Sequence, residues 1–449
     1  MKSPLSGVSR RAAMPYVLVF LVAFACCGLH QMKYRQFSPI DELRHLDYAV
    51  KISHGHLTHF GEKVGETAMR EEMCRKVDLA GWADPPCGKK KIDPVQFRDD
   101  GWQTASPHPP LYYIGAGVSA RVLHKLGLTD SYVAGARLFS AFVTALGIMM
   151  IFHVTRRLGT SIPVGAGAAL SILVFPSLLH SAGIVTPDSA SLLVGATVAA
   201  VVLKFKDSAF AIRWLAVLGV VAGATKLTNL FAASAGALFL FLASGVIGHR
   251  SYRKLDAEHR RLIKGAFALL IGAAATTVLW LVIDSARATI DPAIIPQNVI
   301  NKFTGWPSLD YLLLRDTALR WLPPADGYIQ AKFSPEPVLL ARWILEIMLA
   351  GGAFAALMRA RTNDDAGNYV AITGITAVLG APLFTLASTR FSETLVQAQG
   401  RYGLSLLPVL VVGMSLLATS AIGRRFLASF GFIAAGMMII CLINAPTLR

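Results

Sequence analysis

The chain is poor in charge: only 16% of its 449 residues are Asp, Glu, Lys or Arg. That is well below the share a soluble globular domain carries on its surface. Cysteine is scarce, at five, which excludes a fold stapled throughout by disulfides. No Cys-x-x-Cys or His-Glu-x-x-His spacing occurs, so the common zinc signatures are absent. Neither a Walker A loop nor a dinucleotide-type glycine fingerprint stands in a strand-turn-helix context, and no nucleotide cofactor is expected. No fixed-period repeat or low-complexity tract is present. Acidic residues number 27 against 43 basic ones, a net charge of +16. The basic residues lack the interleaved aromatics of a nucleic-acid footprint, which argues against such a partner.

What the chain has is apolar residues, 54% of the total, with a mean hydropathy of +0.52. They recur in windows of about 20, each long enough to cross a hydrocarbon core about 30 Å thick. A backbone in lipid must satisfy its own hydrogen bonds, which predicts an all-α integral membrane protein with about eleven transmembrane helices. The expected spans are 14–31, 133–154, 161–180, 188–203, 209–225, 228–247, 265–284, 338–358, 369–388, 402–420 and 426–445. Between them lie the basic segments: Arg10–Arg11, Arg156–Arg157, Lys204 with Lys206, the cluster from Arg250 to Lys264, Arg359 with Arg361, and Arg424–Arg425. Short loops enriched in this way mark the cytoplasmic side, and the opposite turn 181–187 has no Lys or Arg. This register predicts a multi-pass plasma-membrane protein with a cytoplasmic N-terminus and an external C-terminus. The first apolar run reads as a retained signal-anchor. The small-x-small match at Ala23-Phe24-Ala25 lies inside the run rather than after it.

The expected organisation is one transmembrane domain, 1–449, with two long extracytoplasmic segments, 32–131 and 285–336. Loops of that length carry function or structure of their own. In the first, helices are expected from Pro39 to about Ser53 and over Gly65–Val77, with an apolar piece at the membrane surface from Leu111 to Leu126. The second holds Trp306, Trp321 and Pro323-Pro324, and both segments are expected to roof a cavity over the bundle.

Three constellations carry polar chemistry. In Ser38-Pro-Ile-Asp41-Glu42-Leu-Arg44-His45-Leu-Asp47-Tyr48, Ser38 suits an N-cap, Pro39 the first helical position and Asp41 the third. Asp41, His45 and Tyr48 would then share a face and could hold a general base against a hydroxyl. The same Ser-x-x-Asp spacing is also that of a capping box, which needs no catalysis. Asp41, Glu42 and His45 could bind a divalent cation, although three such residues in one turn are not a specific metal signature. The second constellation is Thr104 to Tyr113, in which His108 is a candidate binding residue and Tyr112 and Tyr113 are interfacial anchors. The third comprises charges at the external ends of spans: Arg137, Asp188, Lys226, Arg390 and Arg401. Converging cations suit a phosphate or diphosphate headgroup, while any one of them alone could snorkel, and Asp188 could cap its helix. Cys74 and Cys87 share the first external loop and are predicted to pair; Cys26, Cys27 and Cys441 fall in spans.

The order of these motifs resembles the GT-C superfamily of integral-membrane glycosyltransferases, which use polyprenyl-phosphate-linked sugars. The resemblance rests on Asp41-Glu42 soon after the first span, Pro109-Pro110-Leu-Tyr112-Tyr113 before the second, Ala136-Arg137-Leu, Pro187-Asp188, Lys226, and Gln399-Gly-Arg401-Tyr402. It implies inverting transfer of a hexosyl or pentosyl group to an external acceptor: a cell-wall glycan, a glycolipid or a protein. Asp41 would be the general base, with Glu42 as its alternative or partner. Lys226, Arg401 and Arg390 would hold the lipid phosphate, with Tyr402 beside them. No sequon-recognition motif and no appended soluble domain is seen, which sets protein N-glycosylation apart. Other readings of the same layout are a transporter or flippase of lipid-linked sugars, or a non-catalytic subunit of envelope-polymer assembly.

Overall fold

The computed structural model describes residues 10–208, 210–245, 256–290, 305–313, 318–324, 335–359, 364–392 and 398–448. Among these residues all regular structure is helical, apart from three isolated bridges. In chain order the helices are α1 (Arg10–Lys33), α2 (Glu42–Ser53), α3 (Glu66–Arg75), α4 (Leu111–Lys125), α5 (Tyr132–Arg157), α6 (Ile162–Ser171), α7 (Pro176–Gly183) and α8 (Asp188–Asp207). They continue with α9 (Arg213–Thr225), α10 (Leu230–Ala243), α11 (Ala257–Arg287), α12 (Leu309–Leu313), α13 (Glu336–Arg359), α14 (Asp365–Ser392), α15 (Leu407–Leu417) and α16 (Ala421–Asn444).

Seven of these, α1, α5, α8, α11, α13, α14 and α16, are long and apolar enough to cross a bilayer. The protein is an all-helical, multi-pass membrane protein. Their outward faces are apolar, with Leu18, Leu21, Ile271, Val278, Ile347 and Ile440 all exposed, as a surface solvated by lipid tails requires.

Each of the eleven expected windows contains helix among the described residues, and a count of eleven full crossings is not confirmed. Helices α9, α10 and α15 have 13, 14 and 11 residues. At 1.5 Å per residue they reach only about 16–21 Å, short of a core about 30 Å thick. The window 161–180 is broken, because the helix pair Ile162–Val174 and Pro176–Gly183 bends by 77°. Proline disfavours helical geometry in the residue before it. Phe175 is accordingly extended (φ −82°, ψ 119°), and Pro176 opens α7. Among the described residues, seven helices are long and apolar enough to cross, or eight with the bent pair counted as one.

Residues 34–131 form a cap over one end of the bundle. Its own apolar core runs through Phe37, Leu46, Met69, Phe97 and Tyr113 and joins α5 at Ala136. Cys74 and Cys87 are disulfide-bonded within it. Helix α4 turns Leu111, Ile114, Val118 and Val122 outward, the 3–4 spacing of a helix lying along an interface. It crosses α2 so closely that a Cβ on Gly117 would come within 2.1 Å of the Ala49 carbonyl. Of the second expected roof, Trp321 is fully buried and donates from Nε1 to the Gln399 carbonyl at 3.0 Å. Residues 291–304, 314–317 and 325–334 of that segment lie outside the described residues.

Candidate active site

The site starts from Ser38. It does not cap a helix running through position 41. Its Oγ accepts from the Ile40 N–H at 3.1 Å and lies 3.0 Å from Nε2 of His180 on α7. Asp41 then adopts a left-handed conformation (φ 56°, ψ 9°), and α2 begins only at Glu42. A non-glycine residue there stores strain on the order of 1–3 kcal/mol and persists where its surroundings over-determine it.

Glu42 supplies that determination. It is completely buried, and its two oxygens accept from Nε and Nη2 of Arg137 at 2.7 Å each. They also accept from the Ser38 N–H at 2.8 Å and the Val185 N–H at 2.9 Å. Arg137, 3% exposed, also donates to the carbonyls of Tyr34 and Gln36 at 2.7 Å each. The pair ties the start of α2 to α5 and to the turn before α8. Both Glu42 oxygens are thus engaged twice over, and four of the five Arg137 N–H donors are spent on Glu42 and two carbonyls.

Asp41 is the opposite case. It is surrounded by charges from both the cap and the bundle, yet half of its side chain (50%) stays accessible, so it lines an open recess. Arg44 approaches it at 3.4 Å through Nη1. Arg44 is itself held by the carbonyls of Arg98 (2.8 Å) and Trp102 (3.2 Å) and by the Asp99 carboxylate. Burial pushes the Asp41 carboxyl up. The charges of Arg44, Arg401 and Arg98 outweigh it and hold the group below the usual range, so it is ionised at neutral pH.

Behind Asp41 stand two imidazoles. Nδ1 of His45 is hydrogen-bonded to the Tyr113 hydroxyl at 2.7 Å, and the ring lies 5.4 Å, centre to centre, from that of His108. Burial and the neighbouring His108 push His45 down to about 3. Burial and the Lys226 charge push His108 down to about 4. Both are therefore neutral at neutral pH. Tyr48 does not join Asp41 on a polar face, because it is fully buried and stacked 4.0 Å from Tyr113. The helix starts too late for the expected common face.

Beyond His108 lies a charged cluster built from three helix ends. Asp188, at the start of α8, pairs with Lys226 through Oδ1 and accepts at Oδ2 from Thr186 (3.2 Å). Arg401 approaches the same Oδ2 at 3.3 Å. Lys226 stands extended (φ −162°, ψ 142°) in the break after α9, its Nζ 4.5 Å from the centre of the Tyr402 ring. The Arg401 guanidinium lies 4.9 Å from that ring. Gly195 lets the Arg401 segment come this close: a Cβ there would fall 1.9 Å from the Ser405 carbonyl. With Arg401 and Lys226 sharing one carboxylate, the cluster keeps a net positive charge. Asp41 lies within Coulombic reach of both cations.

The structure thus gathers Asp41, His45, His108, Asp188, Lys226, Arg401 and Tyr402 at one end of the bundle. Arg390 is exposed on the last turn of α14, and among the described residues no ion pair joins it to this cluster. Sequence reasoning missed Arg98 and Asp99, which fix Arg44; only the turn-like Asp99-Asp100-Gly101, with φ of 49°, 50° and 65°, could have drawn attention to them. An apolar groove of about 460 Å³ opens beside the cluster, lined by Leu111, Ile114, Phe139, Ala190, Leu218 and Thr225 among others.

No family model matches the chain, and no curated protein matches it. Among solved structures it is similar to the protein O-mannosyltransferase Pmt1–Pmt2 complex of S. cerevisiae bound to the sugar donor, at 16% identity and a TM-score of 0.41, over 63% of this chain and 34% of that one. It is also similar to ArnT from Cupriavidus metallidurans, at 17% identity and 0.47 in the apo state and 16% and 0.43 when bound to undecaprenyl phosphate. These alignments span 91% and 92% of this chain but 60% of the ArnT chain.

Proposed function

We propose that the protein is a membrane glycosyltransferase that moves a sugar from a polyprenyl-phosphate donor to a hydroxyl acceptor outside the cytoplasm. The observation that carries this reading is the pairing of an accessible, ionised carboxylate, Asp41, with two cations, the buried Lys226 and the half-buried Arg401, across one recess. A glycosyl phosphodiester is already activated. The enzyme must orient it, neutralise the departing phosphate and take a proton from the acceptor. Asp41 is the base, and attack opposite the phosphate inverts the anomeric carbon. The acceptor hydroxyl's proton passes to Asp41 as its oxygen bonds to that carbon, and the bond to the lipid phosphate breaks. Arg401 and Lys226 bind the phosphate oxygens, Arg401 with two donors in one plane. Neutral His45 and His108 line the path between base and phosphate without adding positive charge. The apolar groove takes the first isoprene units of the lipid. The acceptor is a wall glycan, a glycolipid or a protein hydroxyl.

The test is transfer by the reconstituted chain from synthetic polyprenyl-phosphate hexoses and pentoses. The wild type should transfer from at least one donor, and Arg401→Ala and Lys226→Ala should each lose at least about 100-fold, the scale of one preorganised donor. No transfer by the wild type from any donor, with lipid binding intact, would favour a transporter or assembly subunit.

A further inference from the structure

A second group of ligating side chains lies at the other end of α2, about 18 Å along that helix from Asp41. In the turn between α2 and α3, His56, His59 and Glu62 bring one donor atom each within 4.8 Å of one another. Nε2 of His56 is 2.9 Å and Nδ1 of His59 is 3.6 Å from the same oxygen, Oε2 of Glu62. With zinc–ligand bonds of 2.0–2.1 Å, a tetrahedral site has ligand–ligand edges of about 3.3–3.4 Å. The two distances bracket that value. The third edge, between the imidazole ligand atoms, is at most 4.8 Å, so the two rings need only turn towards each other to centre an ion.

The surroundings hold the turn in place. Arg287, at the end of α11, donates to the carbonyls of Leu57 (2.5 Å) and Thr58 (3.0 Å), and the Thr289 N–H donates to Phe60 at 3.0 Å. Gly61 is left-handed (φ 97°), and a Cβ there would come within 2.5 Å of the Thr289 hydroxyl. The carboxylate is oriented as well. Its other oxygen, Oε1, lies 3.3 Å from Nζ of Lys51, which is also 2.8 Å from Asp47. Outer contacts of this kind fix the direction of a metal ligand.

We infer that His56, His59 and Glu62 form a binding site for one divalent transition-metal ion, with zinc the best fit. Two imidazoles and one carboxylate suit such an ion, whereas calcium and magnesium call for oxygen ligands throughout. Three protein ligands leave a fourth position for water. The ion would staple the α2–α3 turn, which α11 holds from the other side, and so brace the far end of the helix that carries the recess. This inference stands independently of sugar transfer.

The test uses the full chain, free of any histidine tag, in detergent after chelation and dialysis. Titration with Co²⁺ should produce the visible d–d bands of a low-coordinate ion, saturating at one per chain and displaced by Zn²⁺. His56 is 53% exposed at its side chain, so His56→Ala removes a ligand without opening the core. It should weaken Co²⁺ binding by at least about 100-fold, the upper end of what an outer-shell partner is worth. Glu62→Gln should do the same. Absence of saturable bands in the wild type would overturn the inference, as would binding unchanged in both variants.

Discussion

Glu42→Gln separates a structural carboxylate from a catalytic one. The side chain is fully buried and accepts four hydrogen bonds, two from Arg137 and two from backbone N–H groups. Glutamine keeps the shape, but its NH₂ faces a pair of donors in either orientation, and the buried Arg137 guanidinium loses its counter-charge. Breaking one partner of a buried pair costs about 3–5 kcal/mol. Thermal unfolding of the solubilised chain, followed by tryptophan fluorescence, should show a midpoint lowered by several degrees. The double variant Glu42→Gln/Arg137→Gln should lose clearly less than the two single losses added together, because contacting residues couple. A Glu42→Gln protein that melts like the wild type but transfers no sugar would refute this reasoning and return Glu42 to the role of base.

Two further outcomes follow from the same geometry. His45 and His108 titrate at about 3 and about 4 in the folded chain, against 6.5 when free, so the unfolded chain takes up protons first as the pH falls. Stability should therefore be intact above about pH 6.5 and be lost as pH drops towards 4, and His108→Gln should flatten that slope in melts from pH 7 to 4.5. Gly117→Ala places a Cβ against the Ala49 carbonyl at 2.1 Å; the resulting shift of α2 should cost about 1–3 kcal/mol in melting and lower transfer.

Hydropathy marked each apolar helix, because a run that avoids water is legible one residue at a time. It could not measure where a helix ends inside such a run. That depended on Pro176 breaking the window 161–180, whereas the extended Lys226 falls at the expected junction of two others. The site's charged members were visible because Lys, Arg and Asp are conspicuous at the ends of apolar runs. Their division of labour was not visible. Glu42 and Asp41 are neighbours with the same chemistry, and only the fold shows that four donors saturate one while the other faces a recess. Arg137 and Arg401 likewise look alike in sequence. One is spent on Glu42 and two carbonyls, and the other stands over Tyr402 beside Asp188.

The central claim is that Asp41 takes the acceptor's proton, and Asp41→Asn tests it most directly. Asparagine matches the side chain in size and tolerates the left-handed backbone at this position. Transfer from a polyprenyl-phosphate sugar should fall by about 10²–10⁴-fold, the usual contribution of a general base, while undecaprenyl phosphate binding and the melting midpoint stay close to wild type. Transfer by Asp41→Asn at the wild-type rate would contradict the account.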